Sequence, residues 1–423
     1  MFKFDFDLEE NEDDNLDLNI PSTEAGPSRP IVPPVSVNSS DQESYEVSLD
    51  ELLSTLPETI LYSPLSLPFL PHPILRRDLH DARFQLASSG IYSDPSLQSP
   101  SDPATEADRG TNPVDDEAQY VDAETDLIKG VYEGGLKTWE GGLDILEVLS
   151  TIGSSEGGIG DWIRGTSVLE VGCGTALPSS YILHSLLSSS SAGSSPTILH
   201  MQDYNLAVLR LVTAPNLLLA SLPFLPPTVL HPPIEETDVE DLIPDPQAGT
   251  GELHITPELK KAFTSLLAER GVDLKFTYGH WAGLAKSLRE DKGNKRAGLV
   301  LTSETIYEEA SVGDLIDVLK ASSLLRAGVD VDSAKAGQKG GSAQDPVVEL
   351  GDGVERVTLD SWKKNPLRES GESIVLVAAK VLYFGVGGGL QSFLARIEDE
   401  KGWWHGVKEW TRGVGRKIVR VGW

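Results

Sequence analysis

The chain has 423 residues, with 65 acidic against 35 basic side chains, a formal net charge of -30 and one cysteine. Its length allows two or three domains, and its acidity excludes non-specific DNA binding while favouring solubility and basic partners. The lone Cys173 excludes an intrachain disulfide and suits a reducing compartment. No apolar run reads as long enough to span a bilayer, and the start MFKFDFDLEE is too acidic for a secretory or mitochondrial signal.

Residues 1–118 are rich in Asp, Glu, Ser and Pro and are expected to be largely unfolded, because they bury too little apolar surface to offset chain entropy. Within them Phe2, Phe4 and Phe6 alternate with polar residues, as in an edge or docking strand. Stretches 47–56 and 74–86 have helical apolar spacing and read as short docking helices. Leu49, Leu52, Leu53 and Leu56 would share one face of the first; Arg76 and Arg77 fall on a solvated face of the second.

A folded domain over 119–423 follows. Gly134 and Gly135 break the chain, and the spacing predicts a helix over 137–149. Tyr132, Glu133, Trp139 and Glu140 cluster here; rings beside carboxylates suit a cationic ligand, and core packing of Trp139 is the alternative. The stretch VLEVGCGTALP at 168–178 reads as a buried parallel strand, a tight turn at Gly172 and Gly174, and a helix opening at Leu177 and Pro178. Ligands of open α/β sheets bind outside such strand ends. Leu177 stands where a dinucleotide fingerprint needs its third glycine, which disfavours NAD. Glu170 offers a carboxylate to ligand ammonium or hydroxyl groups, and Cys173 reads as a small buried residue rather than a nucleophile. The E-x-G-x-G pattern resembles the first motif of S-adenosylmethionine-dependent methyltransferases.

A helix over 177–187 and a Ser-rich loop lead to a second strand over 197–202, which ends in Gln202, Asp203, Tyr204 and Asn205. An acid at that position grips a nucleotide ribose, so Asp203 is the leading ribose contact; a simple cap of the next helix by Asn205 is the alternative reading of this segment. Residues 223–251 read as a Pro-rich surface insertion and 257–270 as a helix. A strand over 273–278 runs into Gly279, His280 and Trp281, where Trp281 is placed to cover an adenine and a lone His280 is more often structural. A strand over 299–303 brings Ser303, Glu304 and Tyr307 to the same cleft, followed by a helix over 314–325 and a second insertion over 327–372. A last apolar strand over 373–384 closes in a glycine run at 385–389. The tail, 401–423, is basic and rich in tryptophan. A closing hairpin is the preferred reading over RNA stacking. No metal site is expected.

In this order VYEGGLKTWE, the glycine turn, QDYN, LTSETIY and KVLYFGVGGG together resemble the protein-histidine N-methyltransferases that act on a large-subunit ribosomal protein. The likeness covers most of residues 125–395 outside the two insertions. It implies an α/β fold: a doubly wound, mostly parallel seven-stranded methyltransferase sheet with an antiparallel edge hairpin. It also implies S-adenosyl-L-methionine as cofactor and, as substrate, a histidine of the basic universal large-subunit ribosomal protein three. Carried over by position, cofactor contacts are expected from Trp139, Glu140, Gly172, Cys173, Gly174, Gln202, Asp203, Tyr204, Gly279, His280, Trp281 and Ser303, together with Glu170. His280 replaces an acid of the family, and Ala176 stands where relatives often have glycine. Candidates to accept the imidazole proton are Tyr132, Glu304, Tyr307 and Tyr383. A monomer located in cytoplasm and nucleus, without membrane contact, is expected. The rival readings are a protein-lysine methyltransferase on the same fold and a non-catalytic chaperone for a ribosomal protein.

Overall fold

The apolar runs near 168, 299 and 374 alternate their side chains between two cores, as strands must. Val168, Leu299, Leu301, Ile374 and Leu376 enter one core, and Leu169, Val171, Val300, Val375 and Val377 enter the other. Burial on both faces is why these runs carry no polar alternation. The computed structural model describes residues 42–88, 135–152, 158–189, 195–230, 250–290, 296–323, 373–383, 389–411 and 413–423. Its strands are β1 (Ser44–Val47), β2 (Thr59–Leu65), β3 (Ile74–Arg77), β4 (Ser167–Val171), β5 (Thr197–Asp203), β6 (Gly251–His254), β7 (Val272–Gly279), β8 (Leu299–Ser303), β9 (Ile374–Lys380), β10 (Trp403–Trp410) and β11 (Arg416–Gly422). Its helices are α1 (Leu49–Ser54), α2 (Leu79–Ser88), α3 (Glu140–Thr151), α4 (Gly158–Ile163), α5 (Leu177–Ser188), α6 (Leu206–Phe224), α7 (Pro257–Glu269), α8 (Trp281–Glu290), α9 (Glu309–Ser322) and α10 (Leu390–Asp399).

Among the described residues the main sheet has eight strands in the order β1-β7-β5-β4-β8-β9-β11-β10. The five strands from β7 to β9 run parallel, while β11, β10 and β1 pair antiparallel at the two edges. Helices α3 to α7 fill one core and α8 to α10 the other, so the sheet is wound on both faces. From β4 the chain moves outward through β5 and β7, then crosses back to β8 and β9. The crevice between β4 and β8 is therefore a topological switch point, where open α/β sheets bind ligands. The tail forms the expected hairpin of β10 and β11, with Arg420 over Trp403, Lys417 over Trp404 and Arg416 over Trp410.

The amino-terminal expectation needs correction. Residues 42–88 are folded rather than a set of short docking segments in an unfolded region. β1 extends the main sheet, with Val47 opposite Phe276, and α1 follows with Leu52 and Leu53 buried and Ser48 capping Glu51 N at 3.2 Å. The stretch read as one helix over 74–86 is strand β3 followed by helix α2. Arg77 is not solvated. Its guanidinium is buried, donating to Asp81 at 2.7 Å and to the Leu211 carbonyl at 2.9 Å. β3, β2 and β6 form a separate antiparallel sheet. The last residues of α6 and the turn Pro227–Val229 fall within the stretch read as a surface insertion over 223–251, and β6 starts at its final residue. The Phe2, Phe4 and Phe6 patch and the insertion at 327–372 lie outside the described residues. One helix, α6, does have the 19-residue length and apolar composition of a span; 89% buried, it is a core helix.

Gly279 shows how β1 is seated. Its φ is +103°, and a Cβ there would lie 2.5 Å from the Glu43 carbonyl oxygen, which accepts the His280 N–H at 2.9 Å. Gly279→Ala is expected to destabilise the protein by about 2–3 kcal/mol, from left-handed strain plus the clash with β1. A urea unfolding series checks this, and an unchanged midpoint would contradict it.

Candidate active site

The end of β4 turns on two left-handed glycines, Gly172 (φ 61°) and Gly174 (φ 51°). At Gly172 a Cβ would meet the Thr305 methyl at 2.6 Å, so the turn and the loop after β8 interlock at a distance only glycine allows. Ala176 follows at φ 48°, a left-handed setting that is costly for a residue with a Cβ. The turn is locked to β5 by Cys173 N donating to the Gln202 carbonyl at 2.8 Å. Gln202 itself is fully buried. Its Oε1 accepts from Gly172 N at 3.2 Å and from Trp281 Nε1 at 3.0 Å, and its Nε2 donates to the Gly279 carbonyl at 3.1 Å. One side chain thus ties together the ends of β4, β5 and β7 and fixes the Trp281 ring.

Two carboxylates sit at this turn. Asp203 accepts from Gly174 N at 3.0 Å through Oδ2 and from Asn205 N at 3.1 Å through Oδ1. Glu170 is buried, and its Oε2 accepts from Ser179 N at 3.0 Å and from Ser179 Oγ. Burial, opposed by the Ser179 bonds and helped by the Asp203 charge, raises its pKa from 4.5 to about 7. The Cys173 thiol lies against Thr213 Oγ1 at 3.6 Å, and burial pushes it well above its usual range, which suits a packing role.

The raised Glu170 pKa has a stability consequence. A carboxyl that keeps its proton longer when folded costs stability as pH climbs from about 4.5 to 7, since the folded form resists ionisation. Glu170→Gln removes that cost. At pH 4 the ligand-free variant is expected to match the parent chain, and by pH 8 to exceed it by up to about 3 kcal/mol. Urea unfolding at both pH values measures this, and an equal difference at the two would contradict it.

Across the crevice, the loop after β8 is held by Thr302 Oγ1, which donates to the Val171 carbonyl at 2.9 Å. Glu304 then adopts φ +56°, a strained setting for a non-glycine residue of the sort that marks functional sites. Its Oε2 accepts from the Tyr383 hydroxyl at 2.7 Å, and that hydroxyl accepts from Lys380 N at 3.2 Å. Burial raises the pKa of Glu304, and burial followed by the Glu304 charge drives Tyr383 far up, so the phenol stays protonated as a donor. Tyr307 stands edge-on to Tyr383, with ring centres 6.5 Å apart.

These groups line one cavity of about 350 Å³ at the carboxyl ends of the parallel strands. Trp139, Glu170, Gly172, Cys173, Gly174, Asp203, Tyr204 and Trp281 line it from the β4 and β5 side, and Ser303, Glu304, Tyr307 and Tyr383 from the β8 and β9 side. Tyr204 packs on Trp281 with ring centres 4.8 Å apart. Four expected contacts lie off the lining. Gln202 acts as the clasp described above, and Gly279 gives room to β1. His280 accepts from Ala282 N at 3.1 Å through Nδ1 and caps α8. Glu140 pairs with Lys380 at 3.4 Å. The Trp139 ring already carries two ammonium groups, Lys137 at 5.6 Å and Lys380 at 5.1 Å, rather than standing free for a ligand cation. Tyr132 lies outside the described residues. Sequence reasoning missed Lys137, Thr305, Lys380, Leu382 and Val414, all of which line the cavity.

No protein-family model matches the chain. It is 27% identical over 381 residues to Histidine protein methyltransferase 1 of Schizosaccharomyces pombe, a match spanning 88% of this chain and 83% of that protein. The protein of the same name from Saccharomyces cerevisiae is 25% identical over 354 residues, 83% of this chain and 76% of its own length. A Bos taurus homologue is 28% identical over 276 residues, 65% of this chain and 51% of its own.

Proposed function

The chain belongs to the histidine protein methyltransferases, and from that premise we propose that it moves a methyl group from S-adenosylmethionine to one imidazole nitrogen of a histidine in the universal large-subunit ribosomal protein three. The observation that carries the reading is the single cavity where the glycine turn and Asp203 face the Glu304–Tyr383 pair. Leaving out β1, the order β7-β5-β4-β8-β9-β11-β10 supports reading the sheet as the seven-stranded methyltransferase arrangement.

The residues present fit the cofactor. The turn at Gly172 is a cradle that a Cβ would fill. The donor set suits a nucleoside, with a carboxylate for ribose hydroxyls at Asp203, aromatic faces for adenine at Tyr204 and Trp281, and a further acceptor at Glu170. The cavity lies within the ordinary size range of small-molecule sites, about 300–1,000 Å³. When bound, the cofactor supplies a methyl group already activated by the positive charge on sulfur.

The remaining work falls to the chain. A neutral imidazole, with a free pKa of about 6.5, already carries a nucleophilic lone pair, so the site must orient it and exclude water more than deprotonate it. Orientation alone can remove about 7–11 kcal/mol of barrier. Glu304, held by Tyr383, accepts the N–H of the other ring nitrogen, fixes the tautomer and takes the proton after transfer. Burial raises its pKa above the ordinary carboxylate value, which strengthens it as a proton acceptor. The net charge of -30 steers a basic ribosomal protein toward the cleft.

The test is transfer of labelled methyl groups to the recombinant ribosomal protein with and without its target histidine. Label on the first alone is the expected result; equal labelling of both would remove the histidine assignment.

A further inference from the structure

We propose that Lys380 selects imidazole over ammonium: its fixed positive charge at the accepting end of the cavity repels a lysine side chain and favours a neutral histidine. This inference rests on the methyl-transfer reading above and adds to it the residue that sets substrate class. The rest of the cavity would select the other way. Glu170, Asp203 and Glu304 give its lining three carboxyl groups, an arrangement that attracts cations. A lysine substrate arrives as an ammonium with a free pKa near 10.4 and must lose a proton before it can attack; histidine arrives with a free pKa near 6.5.

Lys380 is placed to oppose that attraction. It ends β9, pairs in register with Arg416 of β11, and its side chain lines the cavity beside Glu304, Tyr307 and Tyr383. The ammonium is 5.1 Å from the Trp139 ring and 3.4 Å from Glu140 Oε2, and its side chain is only 20% exposed. The charges facing it come from three elements. From α3 come Glu140, whose side chain is 56% exposed and so well screened, and Asp144, which is consumed by Arg416 at 2.7 and 3.2 Å. From β11 comes Arg416 itself. From the loop after β8 comes Glu304, whose carboxylate is favoured by the Lys380 charge. Lys137, the other ammonium over Trp139, adds to the same sign. The Lys380 charge offsets that of Glu304 at the accepting end. Removing the lysine leaves the Glu304 carboxylate to draw an ammonium and to favour the charged form of a bound imidazole.

The experiment uses the full chain, S-adenosylmethionine and two forms of the ribosomal protein, one with the target histidine and one with lysine in its place. Mass spectrometry reads the methylated residue. The parent chain and Lys380→Arg are expected to methylate the histidine form with the lysine form far behind. Lys380→Met is expected to raise the lysine-to-histidine ratio about tenfold, the size of one partly screened charge at close range. Its acid limb of kcat on histidine should move up by about one pH unit. An unchanged ratio and an unchanged limb overturn the proposal. So does a Lys380→Met protein that binds cofactor but methylates neither form, which would put Lys380 in the transfer itself. A parent chain that methylates neither form sinks the underlying function instead. If Lys380→Met does not fold, Lys380→Gln takes its place in the same measurement, and an unchanged lysine-to-histidine ratio overturns the proposal.

Discussion

Replacing Asp203 with alanine is expected to weaken binding of S-adenosylhomocysteine by about a hundredfold or more. A charge-assisted hydrogen bond contributes about 1.5–3 kcal/mol, and the ribose assignment gives Asp203 such a bond on top of its structural ones. The same carboxylate holds Gly174 N at 3.0 Å and Asn205 N at 3.1 Å, so its loss also loosens the turn that approaches the ligand. Asp203→Asn separates the two effects. It keeps the shape and one acceptor oxygen while removing the charge, and should lose about tenfold. Calorimetric titration measures both variants. Affinity equal to that of the parent chain in Asp203→Ala would refute the ribose assignment.

Glu304→Gln is expected to lower kcat by about 10²–10³-fold, within the usual range for a positioned proton acceptor. Cofactor affinity should stay within about threefold, because the ribose and glycine-turn contacts come from β4 and β5 while Glu304 comes from the loop after β8. The amide can still accept from Tyr383, so the local packing at 2.7 Å survives, but it cannot take the imidazole proton. Steady-state kinetics with the ribosomal protein and a parallel calorimetric titration separate the two effects. An equal fall in kcat and in cofactor affinity would show that Glu304 holds the cofactor instead.

The parts of the fold written most plainly in the chain are the strands buried on both faces. The run 299–303 is readable to the residue because three apolar residues, Leu299 to Leu301, pass into Thr302 and Ser303. The turn after β4 and the acid after β5 are legible for a related reason: ligand sites of such sheets lie at strand ends, so a polar residue there stands out against an apolar run. The amino-terminal elements gave no such contrast. β1 is four residues, SYEV, with two of them exposed, and it becomes a strand only because β7 offers an edge beside Gly279. β3 is as short, and its Arg77 reads as solvated until α6 supplies the Leu211 carbonyl and Asn216 as partners, more than 130 residues later. β6 is four residues, GELH, at the end of a Pro-rich stretch, and pairs with β2 far away in sequence. Within the site, Gln202 reads as a ligand contact because it adjoins Asp203. Its three partners, Gly172, Gly279 and Trp281, are 30, 77 and 79 residues distant, and no local pattern announces a clasp of that span. His280 was ambiguous for the opposite reason, since a cap two residues away and a ligand contact make the same demand on sequence. Lys380 was passed over because the strand reads as continuing to Phe384, whereas the ladder stops at Lys380 and turns that side chain into the cavity.

The most direct test is a structure of the full chain with S-adenosylhomocysteine and a segment of the ribosomal protein carrying its target histidine. The ribose should sit on Asp203, and one imidazole nitrogen should lie within hydrogen-bond distance of the Glu304 carboxylate, with the other ring nitrogen toward the sulfur. A nucleoside bound elsewhere, or an imidazole held by groups other than Glu304, would contradict the site as drawn.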